Sequence, residues 1–123
     1  MQRAWSASTV VLLVGVVAHF SLLASAGATS ALVLGAAVLL VAGSVAAYLA
    51  PRMKLLVGAS VAVPGALFFG VGDVTFGLLG HYSNWPGPLN SALAAIVVLP
   101  IGLVLCSLGA WIGAAYSMPR ADA

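Results

Sequence analysis

Every lysine and arginine of this 123-residue chain, namely Arg3, Arg52, Lys54 and Arg120, lies at the end of a long apolar run and none lies inside one. The runs cover approximately residues 5–26, 29–50, 55–79 and 89–116. A bilayer's hydrocarbon core of about 30 Å takes about 20 residues of helix at 1.5 Å each, and every run reaches that length. Four membrane-crossing helices are therefore the expected architecture. A membrane β-barrel does not fit, because the runs are continuous and lack polar/apolar alternation.

Composition points the same way. Charged residues make up 5% of the chain and hydrophobic ones 63%, with a mean hydropathy of +1.22, whereas a soluble domain carries about a quarter charged residues. Four basic and two acidic side chains cannot cover the water-facing surface of a soluble core. The fold class expected is all-α, an integral membrane four-helix bundle forming one transmembrane domain over 1–123. The basic residues are spread over three connections or ends and form no patch, which argues against nucleic acid as a partner. The single cysteine, Cys106, lies in an apolar run and has no intrachain disulfide partner.

Orientation follows from where the cations fall. With an even number of crossings, Arg3, the Arg52–Lys54 turn and Arg120 share one face, which the positive-inside rule assigns to the cytoplasm. Both termini are then cytoplasmic, and the connections 25–30 and 80–88, which lack Lys and Arg, face outward. Trp5, Tyr48, Trp111 and Tyr116 fall near the inner interface, and Tyr82 and Trp85 near the outer one. Small size and short loops suggest a prokaryotic plasma membrane. The first run has a second reading: Arg3, an apolar stretch and Ala24-Ser25-Ala26 resemble a secretory signal with a small-residue cleavage site. That run is long for a signal core and contains His19, and the orientation of the other three runs is unchanged either way.

Helix association in lipid relies on close packing, so small residues four apart mark candidate interfaces. Such stripes run through Ala31, Gly35, Gly43 and Ala47, through Gly58, Ala62, Ala66 and Gly70, and through Gly102, Cys106, Ala110 and Ala114. Gly109 and Gly113 form a GxxxG pair, and Gly15 precedes His19 by four. These stripes either hold one bundle together or face another subunit, and packing within the chain carries more weight. Pro64 and Pro100 fall inside the third and fourth runs, where a missing donor tends to kink a helix.

Few side chains could carry chemistry. Asp73 is the one acid near a span; it lies nineteen residues, or about 28 Å of helix, from Lys54, close to the outer interface. Gly70, Gly72 and Gly77 could break the helix there and leave Asp73 to cap a short turn. His19, about 21 Å from Trp5, is deeper and shares a face with Gly15. An imidazole so placed commonly bonds a carbonyl or hydroxyl of a neighbouring helix. His81 belongs to the outer loop, which is rich in Pro, Gly and aromatic residues. His19, Asp73 and His81 lean toward one half of the bilayer, but their separations match no metal-ligand spacing. No phosphate loop, HExxH or GxSxG is present, so no catalytic set, metal site or cofactor is expected. The leading expectation is a non-catalytic accessory subunit or assembly partner, in contact with lipid and with other subunits or copies of itself. The alternative is a homo-oligomeric transporter or channel for small solutes or ions, using His19 and Asp73.

Overall fold

The computed structural model describes residues 2–80 and 86–121. His81, Tyr82 and Trp85 lie outside the described residues. Among the described residues five helices follow one another: α1 Gln2–Ala26, α2 Ala28–Leu49, α3 Lys54–Ser60, α4 Ala62–Leu78 and α5 Pro88–Ala121. Four segments, Gln2–Leu23, Thr29–Leu49, Lys54–Leu78 and Pro88–Ser117, are long and apolar enough to cross a membrane, with α3 and α4 together making the third.

Local chemistry sets the boundaries. A single residue, Gly27, separates α1 from α2, and its φ of 94° is one that a side chain would strain. At the other end of α2, Met53 takes a left-handed conformation. The Lys54 ammonium turns back there and donates to the Ala50 carbonyl and, at 3.5 Å, to that of Ala47. A cation thus sits on the negative end of α2, where the last carbonyls lack helical donors. The third span is interrupted at Val61, three residues before Pro64. Pro64 has no N–H for the Ser60 carbonyl four residues back, and its ring crowds that carbonyl. Pro100 has the same chemistry, yet α5 runs through it without interruption.

One expectation is corrected. Gly70, Gly72 and Gly77 do not break the third span, and α4 continues to Leu78. At two of these positions the missing side chain makes room for a neighbour. A Cβ on Gly72 would lie 2.6 Å from the Phe20 ring, and one on Gly70 would lie 2.9 Å from the Ala95 methyl. The neighbouring helices approach so closely that the glycines serve packing while the backbone stays helical.

Consecutive spans are antiparallel, so the positions of all four basic residues fall at one end of the bundle. Around the bundle the order is α1, α2, α5, then α3 with α4, which closes back on α1. The first and last spans are therefore diagonal, while the second and last run parallel and make the most extensive contact. The core is built of Leu12, Val16, Phe20, Val38, Leu39, Val57, Val61, Phe69 and several alanines. Outward faces are apolar too: Leu32, Leu67, Val71, Ile96 and Leu108 are each more than half exposed. Such a surface matches hydrocarbon, and water would not tolerate it.

Candidate functional site

The site arises from how α2 and α5 meet. Toward the end of the bundle that carries the cations they press backbone to backbone. A methyl on Gly109 would strike the Leu40 carbonyl oxygen, one on Gly113 would strike that of Ser44, and one on Gly43 would strike that of Cys106. Beside this seam the buried Cys106 thiol donates to the Leu39 carbonyl at 3.4 Å. Toward the opposite end the space between α2 and α5 opens. A cavity of about 220 Å³ is lined there by His19, Phe20, Ala31, Phe69, Asp73 and Ala95 among others. A second, of about 150 Å³, adjoins it and shares His19, Leu32, Phe69 and Val98.

His19 projects from α1 across the N-terminal turns of α2. Its Nδ1 lies 2.6 Å from the Ala31 carbonyl oxygen, which can only accept, so Nδ1 carries the proton and donates. Gly35 makes this contact possible, since a Cβ there would lie 3.0 Å from Nδ1 and 3.3 Å from Cε1. Two aromatic edges hold the ring: Phe20 at 4.8 Å and 87°, and Phe69 at 5.0 Å and 79°. Phe20 in turn stacks on Phe76 at 5.4 Å. The imidazole is nine-tenths buried, yet Nε2 has no hydrogen-bond partner among the described residues. No sealed side-chain polar atom among them lacks a partner, so Nε2 is open to the cavities that His19 lines.

Asp73 projects from α4 into the first cavity and accepts a hydrogen bond from the Ser91 hydroxyl at the start of α5. The carboxylate therefore joins α4 to α5. His19 and Asp73, 54 residues apart in sequence (73 − 19), line one space. His81 lies outside the described residues, and among those described no cluster of His, Cys, Asp and Glu could hold a metal ion.

The small residues singled out by spacing are found on the inward sides of their helices. Gly15 lies against Val38, Gly58 against Ala110 and the Gly43 carbonyl, and Gly70 against Ala95. Residues that spacing did not reveal are Ser91, Phe20 and Phe69. For Ser91 the sequence holds no such signal, since counting helical rise from the outer turn leaves it about one turn nearer that turn than Asp73. Six other hydroxyls, those of Ser8, Thr9, Ser25, Ser60, Thr75 and Ser117, donate to carbonyls of their own helix three or four residues back.

The class defined by fold and site is a small helical membrane bundle with a side cavity whose described lining includes an imidazole and a carboxylate. No family model, no curated protein and no solved structure matches this chain.

Proposed function

We propose that the chain forms a single transmembrane domain over residues 1–123 and acts without catalysis, as an accessory subunit or assembly partner in a membrane complex. Both termini would face the cytoplasm of a prokaryotic plasma membrane. One observation carries this reading: two polar contacts at membrane depth tie one helix to another, His19 to Ala31 and Ser91 to Asp73. Side chains used in this way stabilise a shape that a partner can recognise. Purification from native membranes in mild detergent tests it. A polytopic partner retained at fixed stoichiometry is the expected result, and recovery of the chain alone or as a homo-oligomer refutes the accessory role.

A second reading, a homo-oligomeric transporter or channel, draws support from His19 and Asp73 lining one cavity. Intramembrane ionisable groups commonly mark solute or proton paths. His19→Leu and Asp73→Asn separate the two readings. Flux lost with assembly intact favours transport, whereas lost stability favours the structural role.

A further inference from the structure

We infer that the crevice between α2 and α5 is a binding site for a neutral, ring-sized, lipid-soluble hydroxyl compound, an alcohol or phenol that enters sideways from the bilayer. Three observations determine the ligand. The first is size. An apolar protein cavity of about 150 Å³ stays dry and admits benzene; about 220 Å³ here, with a further 150 Å³ adjoining, accepts a fused ring or a ring with a short chain. The second is access. Leu32 on one rim is 68% exposed and Ile101 on the other 53%, so the opening faces the surroundings of the bundle. For a chain with this surface those surroundings are hydrocarbon, and the ligand's route is through the lipid.

The third is polarity. With Nδ1–H committed to Ala31, a neutral imidazole presents a lone pair at Nε2, an acceptor without a donor. The other polar side chain among the described lining residues is Asp73, whose carboxylate accepts from Ser91. Among the described lining residues no free donor stands beside Nε2, which selects a ligand that donates; an anionic head such as that of a fatty acid has no proton to give it. The rest of the lining is hydrocarbon and aromatic, Phe20, Leu23, Phe69 and Val98 among it, which suits the ligand's ring. A hydroxyl donating to Nε2 completes the hydrogen bonding of a group that is nine-tenths buried and otherwise half-satisfied.

Three probes of one shape test this on the full chain in lipid nanodiscs, with empty nanodiscs as the partition control: 1-naphthol, naphthalene and 1-naphthoate. Fluorescence titration should show 1-naphthol saturating at one per chain. Naphthalene should bind about five- to tenfold more weakly, the value of one net hydrogen bond, and 1-naphthoate should show no saturation. Ala94→Leu, a change at an exposed position on the cavity wall, should abolish saturation without touching any of the hydrogen bonds. His19→Phe keeps a ring but removes the lone pair, and should erase the preference for the hydroxyl. The proposal is overturned if naphthol and naphthalene bind the unmodified chain alike. It is equally overturned if all binding follows linear partition into lipid and Ala94→Leu leaves it unchanged.

Discussion

Gly35 and His19 act as a pair, because the ring reaches the Ala31 carbonyl only where α2 has no side chain to block it. Gly35→Ala gains helix propensity, about 1 kcal/mol, but sets a methyl against a ring that Phe20 and Phe69 hold from two sides. The clash should prevail, with a net loss of about 1 kcal/mol, and the penalty should vanish when His19 is already Leu. Unfolding in mixed micelles, run as a double-mutant cycle, measures it. Ser91→Ala should cost about 0.6–1.7 kcal/mol in the same assay, the range of interhelical hydrogen bonds in membranes. Cys106 supplies the readout: it is fully buried, so maleimide labelling should be slow in the folded chain and rapid once the bundle opens. At this scale the sequence was partly informative. His19 and Asp73 stand out as rare ionisable groups in apolar runs. Ser91 does not, because a hydroxyl among Ala, Leu and Asn has no signature until the fold sets it beside a carboxylate.

At the scale of helices, the glycines differ in what lies against them. Gly109 and Gly113 face main-chain carbonyls that cannot rotate away, whereas a Cβ on Gly102 would meet the Ala62 methyl at an ordinary 3.5 Å. Gly109→Ala and Gly113→Ala should therefore each destabilise by about 1–3 kcal/mol. Gly102→Ala should be neutral or stabilising by up to about 1 kcal/mol. Cys106 labelling across an SDS titration distinguishes these outcomes, and equal costs at all three positions would contradict the seam. The four helices and their lengths could be read from the apolar runs, and Pro64 lies three residues beyond the interruption at Val61. Which helix neighbours which could not be read. Small-residue stripes run along three of the spans, and spacing alone does not say that the stripe of α2 meets that of α5.

For the molecule as a whole, the shared end of Arg3, Arg52, Lys54 and Arg120 predicts which surface faces the cytoplasm. In a Cys106→Ala background, Pro86→Cys should react with an impermeant maleimide on intact cells, while Met53→Cys should react only after permeabilisation. The reverse pattern would invert the assigned orientation. Arg52→Gln with Lys54→Gln should raise the fraction labelled at position 53, because the turn then loses both of its cations. Class and charge asymmetry were legible because both follow from the solvent in which the chain folds. The crevice was not, since it depends on two helices that touch at one end and separate at the other.

The parallel pairing of α2 with α5 has a consequence in time. α1 and α2 meet as soon as both have emerged from the ribosome, joined as they are by Gly27 alone. The glycine-lined flank of α2 must then wait for the last segment of the polypeptide before its permanent neighbour exists. Throughout synthesis of the third crossing that flank is open to lipid or to a chaperoning helix. Nascent chains halted before α5 are thus the species that membrane quality control would encounter first.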